Sequence, residues 1–312
     1  MKRALSKFAW SVWTAAAKFF GKRYVAGPKL EDAMRVSRRL AGSGFASTIC
    51  YWNVEGEAPR KVADAYETAL AAITKEKFDC YLSIKFPPLK FDESLVSEVV
   101  EHARPHDVLV HFDSLEMEAT DQTFGAIEEM SRSYARLSCT LPGRWVRSLK
   151  DAQRAVDLRL YVRVVKGQWN DPAYTKADLG EGFLEVIDKL AGRARHVAVA
   201  THDPVVGRAA IERLRKAGTP CTLELLYGLP VRPALDMARE LRVPVRVYVP
   251  YGQGWLPYSL TQARKNPRIL WLVLKDFFTG GGLTDFGKAP VPAVSNSNRV
   301  EEPVFDSRTV KL

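Results

Sequence analysis

The chain has 312 residues, 46% hydrophobic and 26% charged, with a formal net charge of +10. This composition excludes a disordered or fibrous protein and supplies core for one large domain or two ordinary ones. The basic residues are dispersed, with no block of five or more, which argues against nucleic acid and leaves an anionic ligand or an acidic membrane surface as the reason for the charge.

The first twenty residues, MKRALSKFAWSVWTAAAKFF, imitate an export signal in their basic start and Ala-rich end. Lys7 and Lys18 interrupt them, and Phe8, Trp10, Val12, Trp13 and Phe19 fit one face of a helix, so an amphipathic helix packed on the protein or touching a membrane is preferred. No stretch is long enough to cross a bilayer. Pro28 to Leu40 reads as a helix opened by proline and closing on arginine. A regular alternation then begins. The expected strands are Phe45 to Trp52, Cys80 to Phe86, Val108 to Asp113, Leu137 to Leu141, Leu158 to Val165, His196 to Ala200, Thr222 to Leu226 and Val243 to Val249. The helices between them are Ala58 to Thr74, Glu93 to Ala103, Thr120 to Tyr134, Leu149 to Val156, Ala177 to Leu190, one opened by Asp203 and Pro204, and Arg232 to Leu241. Pro257 to Asn266 and Arg268 to Phe278 end the series as one broken helix or two.

Eight such units are the count of an α/β protein of the (β/α)8 TIM-barrel class with N-terminal helices. A doubly wound sheet is the alternative, but it calls for a Gly-rich first turn where this chain has NVEGE. The expected organisation is an N-terminal helical segment over 1–43, a catalytic barrel over 44–279, and a flexible Gly, Pro, Ser and Asn-rich tail over 280–312. Cys50, Cys80, Cys139 and Cys221 lie far apart in apolar runs without a C-x-x-C pair. They read as reduced core residues of a cytoplasmic protein rather than as zinc ligands or disulfides.

Barrel sites form at the C-terminal ends of the strands. In LRLYVRVVKGQWND, a buried-strand pattern delivers Arg163, Lys166, Gly167 and Trp169 in close succession, suited to an anionic, planar ligand held near backbone. The other strand ends carry Trp52 and Asn53, Lys85, Asp113, Arg144 and Trp145, Thr201, His202 and Asp203, Glu224, Leu226 and Tyr227, and Tyr248, Tyr251 and Trp255. A mouth so rich in cations and aromatics suits a large phosphate-bearing cofactor more than a bare metal ion. A metal held by His202, Asp113 and Glu224 is the lesser alternative.

These stretches resemble the proline dehydrogenases, flavin-dependent barrels that oxidise L-proline to a cyclic imine. YVRVVKGQWND is similar to that family's RLVKGAYWD, VAVATHDP to ATHN, LELLYGLP to FQLLYGM, and VRVYVPYGQGWLPY to RVYVPYG followed by W and PY. SIKF and VHFDSLE resemble its second-strand lysine and third-strand DME segments, and the matches span Lys29 to Asn266 in family order. The resemblance implies FAD as cofactor, with Arg163 near its N5 edge, Val165, Lys166 and Gly167 touching it, and Thr201, His202 and Asp203 on its phosphate and adenosine side at a helix N-terminus. It implies a substrate pocket lined by Lys85, Asp113, Leu226 and Tyr248, with Tyr258 above and Trp169 in place of a tyrosine.

The departures cluster around the ligand. The family's Y-x-x-R-R-x-x-E reads Tyr258-Ser-Leu-Thr261-Gln262-Ala-Arg264-Lys265, so Thr261 and Gln262 replace the arginine pair that clamps the substrate carboxylate. Arg264, one turn beyond Thr261, restores the charge in part. A fourth-strand glutamine falls at Pro142, and the seventh-strand glutamine is Glu224, a carboxylate beside the flavin's pyrimidine edge. The expected function is therefore oxidation of a C–N bond of an amino acid or cyclic amine to an imine, on a substrate other than free L-proline, with a quinone or oxygen as electron acceptor. The rivals are a true L-proline dehydrogenase, with Lys85 and Arg264 sharing the carboxylate, and a flavin-free barrel doing acid–base or metal chemistry. The expected location is the cytoplasm, with peripheral contact at the inner membrane.

Overall fold

A computed structural model describes residues 26–114, 116–167, 171–175, 178–254 and 285–293. Eight strands close a barrel in sequence order. They are β1 (Ala46–Tyr51), β2 (Cys80–Ile84), β3 (Val110–Phe112), β4 (Leu137–Pro142), β5 (Tyr161–Val165), β6 (His196–Ala200), β7 (Cys221–Leu226) and β8 (Val245–Tyr251), and every neighbouring pair is parallel. This is the expected (β/α)8 barrel, not the open sheet.

The outer layer comprises α1 (Leu30–Gly42), α2 (Pro59–Ile73), α3 (Glu93–Ala103), α4 (Thr120–Ser131), α5 (Ser148–Asp157), α6 (Leu179–Leu190), α7 (Pro204–Lys216) and α8 (Arg232–Leu241). Each turns an apolar stripe inward, as α2 does with Val62, Tyr66, Leu70 and Ile73. Their starts follow the sequence signals. Asp92, Asp178 and Asp203 accept hydrogen bonds from the first-turn amides of α3, α6 and α7, and Pro59 and Pro204 occupy first-turn positions where no amide is needed. The first helix, α1, packs on β1 and β8, covering the seam where the barrel closes.

Several boundaries differ from the expected ones for local reasons. β5 starts at Tyr161 rather than Leu158, because Leu158 N–H still donates to Arg154 O and Arg159 turns left-handed at φ 52°. β3 shrinks to Val110–Phe112: a 3-10 turn at Arg104–His106, around Pro105, sends Val108 N–H back to Ala103 O. α4 stops at Ser131, and Tyr134 instead donates its hydroxyl to Val108 O at 2.6 Å. β8 begins at Val245 and runs on to Tyr251. Within the expected flexible tail, residues 285–293 return to the barrel. Ala289 N–H donates to Ser43 O and Ala293 N–H to Gly44 O, both at 2.8 Å, while Phe286 is buried edge-on against Phe45. Phe286, with Ala289 packed beside the core, anchors it. The N-terminal aromatic stretch and the two helices expected between Pro257 and Phe278 lie outside the described residues.

What positions the site is the barrel's interior. Such barrels are usually filled with branched aliphatics. Here Thr48, Tyr81, His111, Arg163, Glu224 and Arg246 are all buried. At the N-terminal end Arg246 donates to Ser47 O and to Asp79 Oδ2, both at 2.6 Å, and its guanidinium lies 4.2 Å from the centre of the Tyr81 ring. That closes the floor of the barrel.

Candidate active site

Alternation along a strand puts every second side chain inside. On β5 the inward residue is Arg163, whose fork is almost fully engaged. Nε donates to Glu224 Oε2 at 2.9 Å, Nη2 to Glu224 Oε1 at 2.7 Å, and Nη1 to Asp113 Oδ1 at 2.7 Å. Nη2 also reaches the Tyr81 hydroxyl at 3.5 Å, and Thr48 donates its hydroxyl to Glu224 Oε1 at 3.2 Å. Burial opposes the guanidinium's charge, but Glu224, Tyr81 and Asp113 outweigh it and hold Arg163 protonated far above the ordinary range.

Asp113 is the second hub. Besides Arg163, it accepts the Tyr248 hydroxyl at 2.6 Å on Oδ2, and His111 Nε2 approaches Oδ1 at 3.4 Å. Burial pushes toward protonation, yet Arg163 and His111 pull the Asp113 carboxyl well below the usual carboxylate range. His111, with Nδ1 against Ser138 Oγ and Nε2 against Thr140 Oγ1, both at 2.7 Å, is held neutral by burial and by the charge of Arg163. Burial and Asp113 push the Tyr248 phenol far up, so it stays a phenol and donates. Its oxygen accepts from Trp52 Nε1 at 3.4 Å.

Lys85, one residue beyond β2, reaches over this layer. Its Nζ lies 3.3 Å from Tyr51 O, 3.5 Å from Cys50 Sγ and 5.2 Å from the centre of the Trp52 ring. Burial pushes the Cys50 thiol up, so Lys85 faces a neutral thiol at that position. Leu226 ends β7 half-buried at the same level. Four of the residues expected in a substrate pocket, Lys85, Asp113, Leu226 and Tyr248, thus stand at one mouth, with Arg163 and Glu224 at its base. Trp169, Tyr258 and Gln262, with Thr261 and Arg264, lie outside the described residues.

The rim over β5 and β6 differs in detail from expectation. Lys166 pairs with Asp203 Oδ2 at 3.0 Å, both side chains remaining over a third exposed. Asp203 Oδ1 accepts from the amides of Val205 and Val206, so the N–H groups expected to meet a phosphate at the start of α7 are partly taken by the chain's own cap. His202 is also occupied: Leu226 N–H donates to Nε2 and Nδ1 faces Pro230 O, both at 2.9 Å. The ring ties the end of β6 to the loops after β7, and the alternative metal set of His202, Asp113 and Glu224 loses its donors. Thr201 is buried, its hydroxyl accepting from Asp203 N–H at 3.1 Å. Val165 N–H and C=O belong to the ladder, and its carbonyl accepts from Gly143 N–H at 2.8 Å. Gly167 has φ +92°, and a Cβ there would meet Arg144 Cγ and Pro142 Cβ at 2.9 Å; the bend it permits turns the chain over the mouth.

The sequence reading missed Tyr81, His111 and Thr48 as parts of this site, and took Cys50 as plain core. The signal was period two: Tyr81 stands four residues before Lys85, and His111 two before Asp113. As a donor set, the mouth offers Lys85 and Lys166 above the engaged Arg163, among the rings of Trp52 and Tyr248. That set fits a planar aromatic cofactor with anionic phosphates, and the exposed Lys166 ammonium can exchange Asp203 for one.

No family model matches the chain. It is 26% identical over 291 residues to proline dehydrogenase 1 of Bacillus subtilis subsp. natto, a match covering 88% of this chain and 94% of that protein. It is 22% identical over 281 residues to proline dehydrogenase 2 of Bacillus subtilis strain 168, covering 84% and 91% of the two chains. With the proline dehydrogenase of Deinococcus radiodurans it shares 22% identity over 293 residues, covering 83% and 90%. Among solved structures, proline utilization A (PutA) from Bdellovibrio bacteriovorus, inactivated by N-propargylglycine, superposes with a TM-score of 0.70 at 16% identity over 89% of this chain. The chain spans 36% of that protein's length, and at this identity the likeness is one of fold.

Proposed function

We propose that this chain is a proline-dehydrogenase-like flavoenzyme that oxidises the C–N bond of an amino acid carrying a secondary amine. The observation that carries the reading is the convergence of Lys85, Asp113, Arg163, Glu224 and Tyr248, from five strands, on one mouth, in a chain whose curated relatives are named proline dehydrogenases. FAD bound at the β5–β6 rim would supply the hydride acceptor.

The protein's own residues hold and orient the substrate. Lys85, facing a neutral thiol and an aromatic ring, is the cation for a substrate carboxylate. Tyr248 has committed its proton to Asp113, so its oxygen turns an acceptor toward a substrate N–H. Asp113 is held as a carboxylate by Arg163, which makes it a poor proton acceptor for the substrate amine. The amine therefore enters neutral, giving its proton to solvent. Activity then rises with pH through the substrate's own amine ionisation.

The relatives' names favour L-proline over the different substrate expected from Thr261 and Gln262, whose positions lie outside the described residues. The electron acceptor, a quinone or oxygen, is then read by which of the two reoxidises the bleached flavin, and a quinone would call for contact with a membrane. No helix among the described residues is long and apolar enough to cross one. The test is purified protein with the two-band yellow absorbance of oxidised flavin that bleaches anaerobically on adding L-proline. Bleaching by other cyclic or N-alkylated amino acids and not by proline would restore the altered-substrate reading, and protein that stays colourless after FAD supplementation would end the flavin reading. If only the carboxylate clamp limits proline turnover, T261R/Q262R raises it.

A further inference from the structure

Glu224 is a buried carboxylate held at the base of the mouth. It accepts two parallel N–H bonds from Arg163, at 2.9 and 2.7 Å, and is steadied by the Thr48 hydroxyl at 3.2 Å. Glu224 and Arg163 are each only 3% exposed, so no counterion or bulk water shares in the pairing. With Asp113 also on Nη1 at 2.7 Å, one guanidinium stands against two carboxylates.

That balance matters to anything bound above it. A strand advances ~3.3 Å per residue, so Arg163 lies only ~10 Å below Lys166 along β5. A flavin whose phosphates were held by Lys166 would be long enough to bring its ring toward Arg163. In a dry barrel the charge at that distance is weakly screened. Arg163 with its two carboxylates carries a net negative charge, which disfavours the negative charge that a flavin gains on reduction; a neutral glutamine in place of Glu224 leaves Arg163 paired with Asp113 alone and removes that net charge.

We propose that Glu224, the second carboxylate on Arg163, makes the buried cluster beneath the flavin site net negative and so holds the bound cofactor's midpoint potential down. Glu224 is thus a positioning residue, acting through Arg163 and not on the substrate. The inference rests on the flavin reading above. Its chemical consequence is a weaker oxidant toward the amine and a more willing electron donor toward acceptors of lower potential.

The experiment is a dye-equilibrated potential titration of the flavin-loaded wild type, E224Q and E224D, without substrate. E224Q should raise the midpoint by about 30 mV or more, tenfold in the two-electron equilibrium constant, and E224D, which keeps the charge, should stay with the wild type. An unchanged E224Q potential overturns the inference, as does an E224D shift as large as that of E224Q, since geometry rather than charge would then be responsible. If E224Q does not retain flavin, the wild-type value decides: a midpoint at or below that of free FAD supports the net negative cluster, and one well above it refutes it. Colourless wild-type protein brings down the flavin reading itself, and is told apart by its spectrum before any potential is measured.

Discussion

Arg246 and Arg163 lie inside the same barrel, at its floor and below its mouth, and Tyr81 touches both. Arg246 is satisfied by a carbonyl, one carboxylate and a ring face. Burial opposes its charge and Asp79 more than restores it. Its carboxylate partner keeps water within reach, the Asp79 side chain being 21% exposed. Arg163 faces two carboxylates, one of them, Glu224, with a side chain only 2% exposed. The floor is thus a structural plug with a solvated release, whereas the base of the mouth is a sealed charge cluster that survives only while all its members are present. The difference teaches where function sits: a fold needs its charges satisfied, while a site keeps charges close enough to act on a ligand.

The sharpest way to break the comparison is to remove each arginine. R163M leaves two carboxylates facing each other without a cation and should cost about 3–5 kcal/mol of stability, read as a fall in the urea midpoint. R246M leaves Asp79 able to hydrate and should cost about 1–3 kcal/mol. Equal losses would mean that the two clusters are sealed alike. Lys166→Ala deletes the exposed rim cation and should weaken flavin retention about tenfold, the equivalent of one charge-assisted contact, with the urea midpoint almost unchanged. Flavin content that survives gel filtration undiminished would remove Lys166 from the cofactor's support.

The smallest expected effect is a pH slope. Burial and Arg163 lower the folded-state affinity of His111 for a proton, so the unfolded chain binds one first as pH falls below about 6.5 and stability declines there. His202, lowered by burial, adds in the same sense and the same window. Asp113 keeps its stabilising charge until lower pH: its folded pKa is depressed, so its contribution is whole above about pH 4 and is lost as pH drops further. H111N should flatten the slope of stability between pH 7 and 5, measured as urea midpoints, and leave the steeper acid limb intact. A slope identical to wild type would assign the loss to His202 instead.

The eightfold alternation, the helix caps and the strand ends that carry the site were legible in the sequence. They are written in local terms, as period two, period 3.6 and the residues that stop each run. Lys85, Asp113, Arg163, Glu224 and Tyr248 were identified by position at strand ends, and the resemblance of the surrounding motifs added a chemistry. Boundaries slipped where a turn competed with a strand, as at Arg159 and Pro105, because apolar residues that close a helix look like residues that open a strand.

Partnership was not legible. Arg163 and Glu224 stand 61 residues apart, Asp113 and Tyr248 135 apart. Sequence put each at a strand end, but the register of a closed barrel decides which inward side chains share a level. For the same reason the sequence could not show that the two nitrogens of His202 meet Leu226 N–H and Pro230 O, or that Asp203 caps the start of α7. Local pattern dictated what each strand brings to the mouth. Barrel closure alone decided what each group spends its hydrogen bonds on, because those bonds join segments that only the tertiary fold brings within 3 Å.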